Sequence, residues 1–328
     1  MNDDIHNALG PLAELYADPE VREILVDAPD RVYINRGGEL AAADFRSAAT
    51  DELRATIDAL LALSDITLSR QKTIGETVLP DGSRFLAVIP PTAANSPCFV
   101  LARLTIPRMT WEKLLAAGAV TPAAYDLLLS AIHAPANVLI AGGAASGKTT
   151  IANLIADSLP ADERVIVVEQ AREMQTQHPR CLQLEVSGNL AYADLLSTAA
   201  RMRPDWLVVG EIFGSEALQV LHIFGRGHSG LGTIHAASVE DALARLEALC
   251  LMSNLGLGLS DIRLLIAAAF KVITYQRRFP AAGHRHLTDI VELLGIEHNR
   301  YVLQPLFRYN PEADRLEPTG AQPSWLAQ

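Results

Sequence analysis

Val138-Leu139-Ile140-Ala141-Gly142-Gly143-Ala144-Ala145-Ser146-Gly147-Lys148-Thr149-Thr150 decides the fold. Its opening residues are a short continuous apolar run, the pattern of a strand buried on both faces of a parallel sheet. The spacing G-x-x-x-x-G-K-[ST] follows without a gap at Gly142, Gly147, Lys148 and Thr149. A helix is expected to leave the loop from Lys148 to Ser158. Each part answers to the chemistry of a bound nucleotide. Glycines let the backbone curl so that successive N–H groups face phosphate oxygens. The helix start adds its positive end. Lys148 is expected to reach the β- and γ-phosphates and the Thr149 hydroxyl to coordinate Mg²⁺. The expected ligands are therefore ATP and Mg²⁺, held by Gly142, Gly143, Ala144, Ala145, Ser146, Gly147, Lys148, Thr149 and Thr150.

A phosphate loop needs carboxylates at the ends of neighbouring strands, to hold Mg²⁺ and its waters and to polarise the attacking water. Val165 to Val168 runs into Glu169, and Trp206 to Gly210 runs into Glu211. Ligands of open α/β sheets bind at the carboxyl ends of strands, where both acids would sit. Thr149, Glu169 and Glu211 form the expected metal set, partly through water, with Glu211 and Glu169 as catalytic acids. Two histidines, His228 and His235, bracket a Gly-rich stretch and a short apolar run after Glu211. Without a third ligand they are weak as a metal site. The sharper reading is a γ-phosphate contact or conformational sensor.

Working outward, strands alternate with helices of ten or more residues, including Ser215 to Phe224 and Val239 to Leu251, which implies a parallel sheet with helical crossovers. Three further strand-like runs close the chain, Lys271 to Tyr275, Thr288 to Leu294 and Arg300 to Phe307. Before the loop, the chain reads as a smaller α+β domain. Its expected elements are strands at 22–26, 31–35, 84–89 and 98–104 and a helix at 51–63 capped by Thr50 or Asp51, with turns at Pro29-Asp30 and Pro80-Asp81-Gly82-Ser83. The expected domains are 1–105 and 106–328, with a linker at about 105–112.

A net charge of −11 argues against non-specific nucleic-acid binding. The one noticeable cationic cluster, Arg277, Arg278, His284, Arg285 and His286, reads as a solvated turn between strands. Cys98, Cys181 and Cys250 are widely spaced and flanked by apolar residues, so they read as core hydrophobes in a reducing compartment. The polar start, Met1 to His6, lacks the pattern of a signal peptide. Apolar runs such as Leu264 to Phe270 are too short to span a bilayer, so any membrane contact is expected to be peripheral or through a partner.

Arg201-Met202-Arg203-Pro204-Asp205-Trp206-Leu207-Val208-Val209-Gly210-Glu211, with Gly227-His228-Ser229-Gly230 and Gly232-Thr233-Ile234-His235-Ala236, resembles the type II/type IV secretion ATPases. Asp18 to Ile24, Asp30 to Tyr33, Gly82-Ser83-Arg84 with Pro90-Pro91, and Arg245-Leu246-Glu247 are most similar to the Tad-type (Flp pilus) branch, with the conjugation ATPases as near relatives. The resemblance implies a RecA-like ATPase domain behind the smaller domain. It also implies a homohexameric ring on the cytoplasmic face of an inner membrane, working on a platform protein of a secretion or pilus system. Glu169 matches the first acid of the family's Asp box, Glu211 the Walker B glutamate, and His228 and His235 the His box. Arg84 and Arg103 match arginines that approach the nucleotide phosphates.

Departures from the family pattern fall at Ala145 for glycine, Gln170 for an aspartate, Phe213 for an arginine and Arg226 for a threonine. They weigh on the rate of hydrolysis more than on nucleotide binding. The alternative reading is an ATP-binding assembly module that turns over slowly or not at all. A DNA motor is disfavoured by the acidic balance and the lack of an aromatic-plus-basic segment for strand binding.

Overall fold

Val21–Ala28 (β1) and Arg31–Arg36 (β2) pair as an antiparallel hairpin across the Pro29-Asp30 turn. They begin the first of two units that divide the chain, Met1–Arg108 and Met109–Gln328. This computed structural model describes residues 2–36, 39–45, 49–103, 109–187, 190–279 and 284–326. The expected linker at 105–112 and the end of the strand expected at 98–104 fall partly outside the described residues.

In the first unit, Glu39–Ala42 (β3), Ile74–Val78 (β4), Arg84–Val88 (β5) and Cys98–Ala102 (β6) complete an antiparallel sheet ordered β3-β2-β1-β6-β5-β4. Helices Asn2–Leu9 (α1), Ala13–Ala17 (α2) and Thr50–Ala62 (α3) belong to this unit. Leu53, Ile57, Leu60 and Leu61 form one stripe of α3 and join Ile5, Leu9, Phe85 and Phe99 in a single core. The cap of α3 is Ala49, not Thr50 or Asp51, because the extended backbone conformation falls at Ala49 and Thr50 is already helical. Asp51 instead sits with Glu52 in the first turn, where negative charge favours the helix start. The Pro80 turn closes as expected, with the Gly82 N–H donating to the Leu79 carbonyl at 2.8 Å.

Arg103 has a different environment from the one the resemblance implies. Its guanidinium lies 4.2 Å over the Tyr16 ring and donates to the Asp18 carbonyl at 2.9 Å and to the Tyr16 carbonyl. The side chain therefore clips the end of β6 to the segment after α2. Arg103→Ala is expected to lower stability by about 2 kcal/mol, since two charge-assisted hydrogen bonds and a ring contact are lost together. Urea denaturation checks this, and an unchanged midpoint would return the guanidinium to other duties.

In the second unit, Trp111–Ala116 (α4) and Pro122–His133 (α5) precede a nine-stranded sheet. Its strands are Val138–Gly142 (β7), Val165–Glu169 (β8), Cys181–Glu185 (β9), Trp206–Val209 (β10), Ser229–His235 (β11), Val272–Phe279 (β12), His284–Glu297 (β13), Arg300–Asn310 (β14) and Arg315–Pro318 (β15). The order is β15-β14-β13-β12-β7-β11-β10-β8-β9. From β12 to β9 all neighbours are parallel, and from β12 to β15 they are antiparallel. The sheet is thus mixed and mostly parallel. Strands β7, β8 and β10 are buried along their whole lengths, as their unbroken apolar runs require.

Helices cover both faces. Residues of Tyr192–Arg201 (α7), Ala217–Gly225 (α8), Val239–Leu251 (α9) and Leu259–Ala269 (α10) build one core, and those of α5 and Lys148–Asp157 (α6) build the other. Asn137 staples the entry to β7, donating to the Ala269 carbonyl at 2.8 Å and accepting from the Gly230 N–H at 2.7 Å. The chain leaves β7 through α6 toward β8 on one side, while β12 pairs on the other, so β7 lies where the connections change direction. In open α/β sheets that is where ligands bind.

Two expectations are corrected here. The cationic segment is not a solvated turn, because Arg277, Arg278 and Phe279 pair with His286, Arg285 and His284 as the arms of a hairpin, and His286 is buried. Of the cysteines only Cys250 is in the core. Cys98 and Cys181 are half-buried, one opening β6 and the other opening the edge strand β9.

Candidate nucleotide site

Gly142 ends β7, and α6 begins at Lys148 after a tight loop. Gly147 caps the helix with φ +101°, a conformation open to glycine at little cost. At Gly142 a Cβ would lie 2.5 Å from Ser146 Oγ and 2.6 Å from the Gln276 carbonyl, so no side chain fits. Ala145 also adopts a left-handed backbone, φ +54°, where the family pattern has glycine. Its carbonyl accepts from Arg285 Nε at 2.7 Å. Gly143, Ala144 and Ala145 are exposed, Ser146 is buried, and Thr149 and Thr150 are half-buried in the first turn of α6.

The loop's surroundings fit a bound phosphate chain. The buried Lys148 amine donates to the Gly143 carbonyl at 2.9 Å and meets His235 Nδ1 at 3.4 Å. Ser146 Oγ and Gln276 Nε2 are buried with no hydrogen-bond partner among the described residues. Orphaned polar atoms of that kind require a partner. Gln276 pairs in register with Gly142 on the adjacent strand. Burial pushes the Lys148 amine below the usual lysine range, while Glu211 and Glu173 pull it back up.

Three predicted residues converge. His235, at the end of β11, pairs in register with Gly142. Its Nε2 lies 3.2 Å from Glu211 Oε1, so the imidazole bridges Lys148 and Glu211. An ammonium has only protons to give, so Nδ1 accepts and Nε2–H donates to Glu211. Glu211 follows β10 at the same edge of the sheet.

Glu169 is engaged otherwise. Its buried Oε1 accepts the backbone N–H groups of Glu173 and Met174, both at 2.9 Å, so it shapes the segment after β8. Burial pushes its carboxyl up against the pull of those amides. Glu173, which the sequence reading missed, lies 3.5 Å from Thr149 Oγ1. It follows β8 in an irregular segment without periodicity, so no pattern marks it. Glu169→Gln keeps an acceptor and is expected to preserve thermal stability. Glu169→Ala orphans two amides and is expected to lower it by about 2–4 kcal/mol. Equal melting temperatures for the two variants would refute the clamp.

His228 is not brought to the loop within one chain. It precedes β11 at the end opposite His235, roughly 20 Å away along the strand, with Nδ1 3.2 Å from the Ile223 carbonyl. Arg84 opens β5 in the first unit. Phe213, a departure from the family pattern, stacks on Tyr192 at 5.9 Å between ring centres, and Tyr192 in turn donates to the Val168 carbonyl at 3.0 Å. Gln276, and the contact of Arg285 with the loop, also escaped the sequence reading, because the strand carrying each reaches the loop only through sheet pairing.

A phosphate-loop strand in a mostly parallel sheet, with a carboxylate at the end of a nearby strand, defines an α/β P-loop nucleotide-binding protein. Residues 6–290 match the family model described as Type II/IV secretion system protein, and the chain belongs to that family. A Mycobacterium tuberculosis protein named for conjugal transfer is 32% identical over 298 residues, covering 87% of this chain and 84% of its own length. The conjugal transfer protein TrbB of Rhizobium radiobacter is 29% identical over 290 residues, covering 87% of each chain. Among solved structures, the pilus retraction motor PilT with bound ADP matches 94% of this chain and 82% of its own, at TM-score 0.62 and 20% identity. The Legionella pneumophila ATPase DotB matches 86% and 79%, at TM-score 0.62 and 17% identity. The fold is the RecA-like α/β fold of those two solved structures. Among the described residues no helix is long and apolar enough to cross a membrane.

Proposed function

We propose that this chain hydrolyses ATP with Mg²⁺ as one subunit of a ring, a homohexamer on the cytoplasmic face of an inner membrane. The ring works a platform protein of a secretion apparatus without contacting nucleic acid itself. The observation that carries the reading is the line Lys148–His235–Glu211 at the carboxyl edge of the sheet. It connects the amine that would hold the γ-phosphate to the acid that would prepare water, through an imidazole placed to report between them. Thr149 and Glu173, with Glu211 and Glu169, would supply the oxygens around Mg²⁺, which neutralises phosphate charge when bound. Arg84 is retained as an arginine acting on nucleotide phosphates; Arg103 is not, because its guanidinium is committed to Tyr16 and Asp18. The names of the relatives favour a conjugation-type apparatus over a Tad pilus.

The second reading, a module that binds ATP and turns it over slowly, is favoured by Ala145, whose left-handed backbone restricts the loop that must follow the phosphates. Steady-state phosphate release across a range of protein concentrations separates the two. A ring motor shows activity per chain that rises with concentration until the ring closes. Phosphate release that stays near background while nucleotide binds normally would establish the slow module. Constant activity per chain down to monomeric protein would remove the ring.

A further inference from the structure

We propose that the start of β13 and the β14–β15 turn form a divalent transition-metal site, with His284, His286 and Asp314 as ligands. His284 and His286 are two apart on β13 and so face the same side of the strand. Asp314 comes from the turn before β15. His284 Nε2 and His286 Nε2 converge on the same oxygen, Asp314 Oδ1, at 3.8 and 3.9 Å. One ligand atom from each of the three residues lies within 4.8 Å of the other two. Those separations are too long for hydrogen bonds. They approach the edge of a tetrahedron of metal–ligand bonds, about 3.3 Å for bonds of about 2.0 Å. Small side-chain rotations close the difference.

The surroundings suit a metal. His286 is 5% exposed, with Nε2 the ring nitrogen that faces Asp314. The imidazole rings are 4.5 Å apart at 81°, walled by Phe279 and Tyr309. The Tyr309 hydroxyl donates to Asp314 Oδ1, orienting the carboxylate as an outer-shell partner does. Two imidazoles and one carboxylate, with the exposed side open to water, suit Zn²⁺ over Mg²⁺ or Ca²⁺. The ion would clip β13 to the β14–β15 turn. Arg285, between the two histidines, contacts the phosphate loop at Ala145.

The test is a titration of chelator-treated, nucleotide-free full chain with ZnCl₂ by calorimetry, with Co²⁺ as a spectroscopic probe. One saturable site per chain is expected, and the melting temperature should rise with excess zinc. Co²⁺ should give visible bands without a thiolate charge-transfer band. His284→Asn and Asp314→Asn, both at partly exposed positions, should each weaken binding at least roughly tenfold. Their melting temperatures without zinc should stay at the parent value, and His298→Asn should bind as the parent does. A thiolate band, zinc binding untouched by both ligand variants, or no saturable binding by the parent would overturn the site.

Discussion

Glu211→Gln binds nucleotide about as well as the parent chain and turns it over roughly a hundredfold or more slower, the span for losing a positioned acid–base group. Glutamine keeps the shape at the end of β10, and its carbonyl still accepts the His235 Nε2–H now directed at Glu211 Oε1 from 3.2 Å. It has no charge with which to draw a proton from water. Binding should therefore survive, because Lys148 and the loop amides do not depend on that charge. The measurement pairs nucleotide affinity with single-turnover hydrolysis. Equal loss of both would make Glu211 structural. Unchanged turnover would transfer its task to Glu169 or Glu173.

Lys148→Ala has the opposite signature. The amine stands at the loop end of the line to Glu211, buried beside a carbonyl and an imidazole. Its removal takes a charge-assisted contact from the phosphates, so affinity should fall by about ten- to a hundredfold. Turnover should fall to background, since the transferring phosphate loses its counter-charge. The melting temperature should hold, because an ammonium taken out of water contributes little net stability. A variant with parent affinity and turnover would show that the loop holds no phosphate. One that no longer folds would assign Lys148 to the core.

Much of this was legible in the sequence because it is local. The apolar runs ending at Gly142, Glu169 and Val209 became strands to within a residue, since a strand buried on both faces tolerates no polar interruption. The loop spacing located α6 for the same reason. Contacts that depend on the folded path were not legible. The Arg103 guanidinium meets a carbonyl 87 positions away. Gln276 reaches Gly142 through strand pairing, and Glu173 reaches Thr149 from an irregular segment. The His228–His235 pair looked like one unit, but a strand of seven residues sets the two rings at opposite ends. The cationic run looked solvated because charge alone does not reveal that its residues pair across a hairpin.

Ala145 bears on the thermodynamics of binding. A methyl group held at φ +54° excludes many of the backbone states a glycine would sample, and the Arg285 bond to its carbonyl narrows them further. Less conformational freedom then remains to be lost when phosphates are enclosed. Compared with Ala145→Gly, the natural loop should bind nucleotide with a smaller entropic penalty, and it should also exchange between open and closed shapes more slowly. The residue that departs from the family's glycine would thus shift the balance from rapid cycling toward retention of nucleotide.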